Sequence, residues 1–383
     1  MSPELQQAPT IDATAPLEST SPAVEAALRG SVLVLIQFDV CEEIRLDKLR
    51  EILGTRSMEQ PSFKHPAPVY VRYQRPPVVQ AIDPLVLESG EQLQGQIKYY
   101  DYGVVSVLLQ LEFAADWPGL VQLAARWVPS PELERQAQQI IRGRLEKILP
   151  AIVRPYSEWL SEDYYIFVLT EVPGNPQGFD LLSRHGPEIA QVLRGEQTPL
   201  ARSINDDVLQ SSLFYYPNDL VVVAWNAALV YDTPAGAETS VQILEYANSQ
   251  LLEFRHYDEW LTRELAGVYA SLKHRAGILR RWTMRAEALR LNSITVEVTE
   301  LVERSDNAIK FVSDMYSARL YRLAAIKVGV PEYKNLVNEK LRIAEGLYRS
   351  LIDEFHQSRG FVLEVMVVII LVIELVYLFR GKY

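Results

Sequence analysis

The hydrophobic pattern divides the chain into a first part of short strands and helices and a second part of long helices. Ser31–Phe38 is an apolar run of strand length, and Leu46–Leu53 carries a helical pattern that ends before Gly54. The strongest strand signal runs from Gln96 to Phe113. We predict that this segment is a hairpin with its bend near Asp101–Gly103.

Alternation in the second strand of this hairpin predicts one buried face. Val105, Val107 and Leu109 point to one side, whereas Ser106 and Gln110 point to the other. A helix is predicted to follow over about 118–148, with an interruption near Pro129.

The order of strand, helix and hairpin then partly recurs. Tyr164–Thr170 is predicted to be a strand and Asp180–Leu193 a helix. Two further apolar runs flank Pro217–Asp219, a sequence typical of a hairpin turn. We therefore predict an α+β head over residues 31–233. Its two similar halves would span 31–150 and 160–233, and the sequence leaves open whether they form one sheet or two.

After Pro234 the pattern changes to apolar residues at alternating spacings of four and three, which is typical of a coiled-coil seam. The first run comprises Ala247, Leu251, Phe254, Asp258, Leu261, Leu265, Val268 and Leu272. The second comprises Leu291, Ile294, Val298, Leu301, Ser305, Ala308, Val312 and Met315. The third comprises Val337, Leu341, Ala344, Tyr348, Leu351 and Phe355. Residues 234–360 are predicted to be an antiparallel helical bundle or a coiled coil between chains.

The C-terminal segment Phe361–Phe379 is almost entirely apolar. It is predicted to be one transmembrane helix, because its length approaches the hydrocarbon thickness of a bilayer. Glu364 and Glu374 are the two charges within it, and Arg380 follows it. The alternative is a helix buried at an interface between subunits. The predicted location is a membrane crossed once, with the bulk of the chain in the cytoplasm.

Composition limits the function classes. Hydrophobic residues make up 48% of the 383 residues and charged residues 23%, which is typical of a folded protein. The net charge of −11 argues against a general affinity for nucleic acid. Cys41 is the single cysteine, which excludes an internal disulfide or a thiolate metal cluster. Residues 1–30 are rich in Pro, Ser, Thr and Ala and are predicted to be a disordered leader.

No catalytic motif emerges from the sequence. Neither of the common glycine-rich phosphate loops is present, and the five histidines lack the spacing of a helical metal site. Cys41, in an apolar strand, is predicted to be an inert thiol. We therefore predict no catalytic residue, no metal and no cofactor. The dense polar cluster from Glu253 to Glu264 is interpreted as a salt-bridged solvent face, with Arg255–Glu259 and Glu259–Arg263 as its pairs.

A basic segment stands out in this acidic chain. Its cations, with Trp282 among them, are Lys273, Arg275, Arg280, Arg281, Arg285 and Arg290. Two interpretations remain open: a patch for RNA, the ribosome or anionic lipid headgroups, and a solvated junction between helices.

The C-terminal residues carry a resemblance to a known family. Leu363–Glu364 and Ile373–Glu374, two glutamates ten positions apart in an aliphatic helix, are similar to the C-terminal signature of the required-for-meiotic-nuclear-division family. Tyr102–Val105 and the strand from Trp225 to Tyr231 resemble further segments of it, although Val365 stands where the family usually has Trp. The resemblance implies an integral membrane protein and a homo-oligomeric scaffold like the mitochondrial members, which support or anchor the translation machinery. It implies no enzyme activity.

The function predicted from these observations is a membrane-anchored, oligomeric docking scaffold without enzymatic activity. The alternative is a membrane-tethered enzyme that acts on nucleotide or nucleic acid, with Tyr100, Asp101 and Tyr102 near the mouth of its site.

Overall fold

The computed structural model describes residues 27–54, 76–87, 90–128, 131–273, 278–307 and 315–380. Within these ranges the chain forms one eight-stranded sheet with helices on both faces. The strands are β1 (Leu28–Ile44), β2 (Val78–Val86), β3 (Gln92–Tyr99), β4 (Val104–Ala115), β5 (Ile152–Glu171), β6 (Ser212–Leu213), β7 (Leu220–Val223) and β8 (Ala227–Tyr231). The helices are α1 (Leu46–Leu53), α2 (Trp117–Trp127), α3 (Pro131–Ile148), α4 (Gly178–Arg194), α5 (Arg202–Leu209), α6 (Pro234–Lys273), α7 (Ile278–Asn307), α8 (Met315–Val328) and α9 (Val330–Arg380).

Both predicted sheet segments belong to the same sheet, in the order β2-β3-β4-β1-β5-β8-β7-β6. Its neighbours pair antiparallel except β5 and β8, which are parallel. A parallel pair requires a crossover connection, and α4 and α5 supply it. The α+β character predicted from the sequence is confirmed. Of the predicted leader, residues 1–26 lie outside the described ranges, and β1 begins at Leu28.

Helices cover both faces of the central strands. One face packs against α1, α2, α3 and α4, and the other against α6 and α8. The alternation of β4 therefore predicted its environment wrongly: Val105, Val107 and Leu109 are buried as expected, but Ser106 on the opposite face is buried too. A helix that arrives more than a hundred residues later covers that face, and strand periodicity carries no information about such a distant element.

Local turn chemistry was predictable. Helix α1 has the predicted bounds and ends at Gly54, whose φ of 62° lies in the left-handed region. The bend at Asp101–Gly103 joins β3 to β4 as predicted. At the second hairpin, the carboxylate of Asp219 accepts hydrogen bonds from the backbone N–H groups of Tyr215 (2.7 Å) and Tyr216 (3.0 Å).

The long helices pack within the chain as a bundle of α6, α7 and α9, with α8 against α6. Most predicted seam positions that the structure describes are buried or half-buried, including Leu261, Val298 and Val337. Met315 is the exception, because its side chain is 80% exposed at the start of α8. Asp258 is the polar member of the first seam, and its Oδ1 lies 2.5 Å from Lys340 Nζ of α9. A polar pair at a seam position fixes the register between two helices.

The predicted transmembrane helix is wrong. Among the residues that the structure describes, none of the helices combines the length and the apolar character that a bilayer crossing requires. The predicted single-pass membrane location falls with it. Helix α9 does run to Arg380, and its described stretch 364–378 contains Glu364 and Glu374.

The bend between β3 and β4 yields a stability prediction. Gly103 has a φ of 98°, and a Cβ at this position would overlap the carbonyl oxygen of Cys41. We expect Gly103→Ala to lower the free energy of unfolding by several kcal/mol, or to abolish folding, since both the backbone and its neighbour must move. Urea unfolding followed by circular dichroism measures the change.

Gly143→Ala in α3 is the matched control, because nothing lies within 4 Å of the position where its Cβ would be. It is expected to stabilise the protein by about 0.5–1 kcal/mol, the gain from replacing a helical glycine. Equal effects of the two substitutions would show that the bend is not constrained in this way.

Candidate functional site

Helix α6 turns an unusual polar stripe towards the sheet. Its members recur every three or four residues, a spacing that places side chains on one side of a helix. Four of them are buried, namely Gln242, Glu245, Ser249 and Glu253, and the half-buried His256 follows. A helix that packs on a sheet normally presents an apolar stripe. The polar stripe therefore needs matching groups on the strands.

The first matching group is a row of three side chains across the sheet. Gln37 of β1 lies opposite Ser106 of β4, which lies opposite Lys98 of β3. All three are at most 3% exposed. Glu245 completes the group: it forms an ion pair with Lys98 and accepts a hydrogen bond from Ser106 Oγ at 2.7 Å. Its backbone oxygen accepts from Gln37 Nε2 at 3.0 Å.

This ion pair is almost fully desolvated, because the side chains of Lys98 and Glu245 are 4% and 1% exposed. A buried carboxylate is tolerated only when a cation and further donors satisfy it. Lys98 supplies the charge and Ser106 the additional donor. The pair therefore determines where α6 lies on the sheet, since a shift of the helix would leave both charges buried and unpaired.

The second matching group is an aspartate–histidine pair further along α6. His256 Nδ1 lies 2.8 Å from Asp39 Oδ2, and Asp39 is 1% exposed. The imidazole stacks on the ring of Tyr156, with 4.4 Å between centroids and 18° between planes. Among the residues that the structure describes, Asp39 Oδ1 has no hydrogen-bonding partner. A buried carboxylate that orients a histidine is an arrangement suited to holding or moving a proton.

Burial raises the pKa values of several groups in this region. Desolvation raises the pKa of Asp39 above its usual range, and the hydrogen bond and charge of His256 oppose that rise. Desolvation and then the Asp39 charge raise the pKa of Tyr156, and desolvation raises those of Tyr102 and Tyr257 well above normal. The three phenols therefore stay neutral. Two of them are hydrogen-bonded: Tyr102 pairs with Ser249 Oγ (2.8 Å), and Tyr257 donates to Glu253.

Cys41 follows Asp39 by two residues in β1, across a shift in the pairing with β5, and it is buried in the core on the side of α1–α4. Desolvation and the Asp39 charge raise the pKa of its thiol. A protonated, buried thiol is a poor nucleophile, which agrees with the prediction of an inert cysteine.

Two cavities lie at the two ends of the polar stripe. One, of about 620 Å³, lies between the N-terminal half of α6 and strands β1, β3 and β4, and Gln242 and Lys98 line it. The other, of about 390 Å³, lies where β1, β5, α6 and α7 meet, and His256, Tyr156 and Trp260 line it. Both volumes lie in the range of small-molecule sites.

Arg154 joins the sheet to the helical bundle beside the smaller cavity. Its Nη1 lies 2.6 Å from Glu42 Oε2 of β1 and also contacts Glu297 of α7. Its φ of 46° is rare for a residue with a side chain. The strain lies between Val153 and Pro155, just before the pairing of β5 with β1 shifts its register. Backbone strain of this kind is held in place by its surroundings, here by two carboxylates from different layers.

The structure corrects part of the interpretation of the Glu253–Glu264 cluster as a solvent face: Glu259 and Arg263 are exposed as predicted, but the N-terminal members are not. Glu253 is 2% exposed, Arg255 forms an ion pair with Glu162 of β5, and His256 meets Asp39. The i,i+4 spacing was present, but the partners lie on the sheet. The available sequence signal was the repetition of polar residues every three or four positions beside an apolar seam.

For most residues of the predicted basic patch, the structure describes no side chain. Arg275 lies outside the described ranges, and nothing is described of the side chains of Lys273, Arg280, Arg281 and Arg285. Arg290 is exposed and pairs with Glu264 of α6 (2.5 Å) and Glu287 (3.9 Å). For this one residue the structure shows a contact between helices.

The remaining predicted site residues are separated from the polar stripe or serve in packing. Of the C-terminal residues, Glu364, Ile373, Glu374 and Arg380 lie exposed on α9, and the side chain of Leu363 is outside the described part. Tyr100 and Tyr102 stack on each other, with centroids 5.2 Å apart, in a buried cluster under α6. No cavity described here is lined by Tyr100, Asp101 or Tyr102. Within the part of the chain that the structure describes, no group of three or more His, Cys, Asp or Glu side chains is placed to hold a metal ion.

Comparison with known proteins places the head in a family. The family model described as "Uncharacterized protein MJ0711, N-terminal domain" matches residues 29–238. Since that match covers more than half of the chain, the chain belongs to this family. "Uncharacterized protein MJ0711" of Methanocaldococcus jannaschii is 19% identical over 215 residues, which cover 56% of this chain and 65% of the relative. The chain thus spans slightly less than two thirds of that relative's length. No solved structure matches the chain.

Removal of one partner of the buried ion pair generates a prediction. Lys98→Met leaves Glu245 charged and unpaired, so we expect it to lower the free energy of unfolding by about 3–5 kcal/mol. The double variant Lys98→Met/Glu245→Leu should recover most of this loss, because neither charge is then buried. Arg29→Met is the control, since Arg29 and Glu171 are 67% and 71% exposed, and it should change stability by about 1 kcal/mol or less. A double variant no more stable than Lys98→Met would contradict the argument.

The raised pKa of Asp39 predicts a pH dependence. Its usual value is 3.8 and its folded value is higher. The stability contributed by the protonated Asp39 carboxyl is therefore complete below about pH 3.8. It is lost as the pH rises through the folded pKa and the buried carboxyl ionises. We expect Asp39→Asn to gain stability relative to the wild type as the pH is raised from about 4, because asparagine does not ionise. Urea unfolding across pH 4–8 measures this difference.

Asp47→Asn is the control for Asp39→Asn, since the Asp47 side chain is 98% exposed. The stability difference between this control and the wild type is expected to change little over the same pH range. If the wild type instead becomes more stable relative to Asp39→Asn as the pH rises, ionised Asp39 stabilises the fold and the prediction is wrong.

Proposed function

We propose that this member of the MJ0711 N-terminal-domain family is a non-enzymatic scaffold whose copies assemble through the C-terminal end of α9. The observation that carries the proposal is the surface of residues 364–378. Every apolar side chain from Val365 to Leu378 is at least 40% exposed, and Tyr377 is 77% exposed. Contiguous exposed apolar surface marks an interaction site, because its burial is favourable in water.

The exposed end continues the heptad repeat that packs the first part of α9. In that part Val337, Ala344 and Leu351 are buried against α6 and α7. The same alternation of four and three residues leads to apolar residues in the exposed part, namely Val365, Ile369, Val372 and Val376. A seam that first packs within the chain and then continues beyond α6 and α7 favours packing against another helix of the same repeat.

The charged residues of this end are consistent with such a seam. Counted from the core positions Val365 and Ile369, Glu364 and Glu374 fall at outer positions of the heptad. A carboxylate at an outer position stays in solvent when the core positions are covered. The partner that supplies a matching repeat is a second copy of this chain, and identical helices associate readily about a symmetry axis.

The absence of enzymatic activity is also part of the proposal. Lys98 with Glu245 and Tyr257 with Glu253 are buried pairs that satisfy each other, and such pairs are the expected content of a packed interior. The resemblance to the required-for-meiotic-nuclear-division family also supports a homo-oligomeric scaffold. Contact with RNA, the ribosome or anionic lipid through the basic segment stays a prediction, as does the alternative of an enzyme acting on nucleotide or nucleic acid.

Sedimentation equilibrium of the full chain tests the assembly. We expect the wild type to be an oligomer at micromolar concentration and Ile369→Asp/Val372→Asp to dissociate into monomers, since a charge at a core position is desolvated in the assembly. The substitutions lie beyond the packed bundle, so circular dichroism of the head and bundle should be unchanged.

Val367→Asp/Leu371→Asp is the matched control, because these residues are at outer positions of the same heptads. It should keep the oligomer with a modest loss of affinity. A wild type that stays monomeric at all concentrations, or two double variants with equal effects, would reject assembly through this seam.

A further inference from the structure

The larger cavity beside α6 has an apolar floor and a polar wall. Leu33 of β1 and Leu108 of β4 form its floor, and Val241 of α6 lines one side. These three side chains are 6–7% exposed. Its volume of about 620 Å³ accommodates a small organic molecule.

The polar wall presents acceptors. Gln242 Nε2 lies 3.4 Å from Glu238 Oε1, and Gln110 Nε2 donates to Glu112 Oε1 at 2.6 Å. A carboxylate only accepts hydrogen bonds, so each glutamine must direct its side-chain nitrogen to the glutamate. Its side-chain oxygen then remains as an acceptor for another group. Gln242 is 7% exposed, and its Oε1 is buried without a hydrogen-bonding partner among the described residues. A buried acceptor of this kind favours a ligand that donates.

The charged residues that line the cavity also favour a ligand that donates hydrogen bonds. Glu112 and Glu238 both line it and are exposed at its rim. Lys98 is the one cation among its described lining residues, and Glu245 already neutralises it. The cavity is thus left with two carboxylates and no free cation among those residues. Such a site attracts a cation and repels an anion.

We propose that this cavity binds an aliphatic amine. The ammonium group is held by Gln242 Oε1 and by the carboxylates of Glu238 and Glu112, and the hydrocarbon chain lies on Leu33 and Leu108. An ammonium group has three donors and no acceptor, which matches a wall of acceptors. The apolar floor removes the methylene groups from water.

Isothermal titration calorimetry of the full chain with 1,4-diaminobutane tests the proposal. Butane-1,4-diol and succinate have the same number of carbons but are neutral and anionic, respectively. We expect saturable binding of the diamine that weakens as salt is added, and no binding of succinate. Equal affinity for the diol would show that the ammonium group is not recognised and would overturn the proposal.

Two variants identify the site. Glu238→Gln and Glu112→Gln should each weaken diamine binding about tenfold or more, the effect of removing one charged hydrogen bond. Both residues are exposed, so folding should be preserved. Gln242→Met, which keeps the shape of the side chain and removes its acceptor, should weaken binding as well.

Glu171→Gln is the matched control, because Glu171 lies in β5 outside the cavity, its side chain is 71% exposed and it pairs with Arg29. This variant should bind the diamine like the wild type. Unchanged binding by Glu238→Gln and Glu112→Gln would place the amine elsewhere. Binding of calcium chloride in place of the diamine, lost in the same two variants, would assign a metal ion to these oxygens. Either result would overturn the proposal.

Discussion

The burial of Glu245 is the constraint on which the rest of the structure depends. This carboxylate is 1% exposed between α6 and the sheet, and a charge in that position is stable only beside a cation and additional donors. Lys98 and Ser106 supply them from two adjacent strands. The position of α6 across the sheet is therefore fixed by electrostatics as well as by apolar packing. Since α7, α8 and α9 pack on α6 or on one another, the orientation of the whole bundle follows from this contact.

The polar stripe also explains why cavities lie at both ends of the α6–sheet contact. Close packing of an interior relies on apolar side chains that interlock, whereas glutamine, glutamate and histidine must keep directional partners. In the middle of the stripe the partners meet, as Lys98 meets Glu245. At its ends Gln242 and His256 keep part of their polar surface next to open space. The same residues that fix the helix thus create the two places where a ligand could enter.

Local features were predictable from the sequence and long-range partnerships were not. Helix α1, the bend at Asp101–Gly103 and the Asp219 turn each depend on residues within a few positions of one another. Ser106 was placed on an open strand face and Arg255 and His256 on a solvent face. Their partners Glu245, Glu162 and Asp39 lie more than ninety positions away along the chain. The apolar character of 364–378 was evident, but sequence hydropathy alone did not determine what covers it. The acceptor wall around Gln242 was not predictable, since it depends on which way each amide turns.

Helix α6 carries both the polar stripe that packs on the sheet and a seam that packs on α7 and α9. It therefore connects the head to α9. Asp258 of α6 holds Lys340 of α9, and Arg154 joins β1 and α7 through Glu42 and Glu297. Polar contacts at both levels fix helix register, which apolar seams alone leave free to slide. In the assembly proposed above, a second copy packed on the exposed part of α9 is therefore held at a defined orientation to the sheet. A head that was loosely tethered would lose that orientation, so under this proposal the internal ion pairs contribute to assembly.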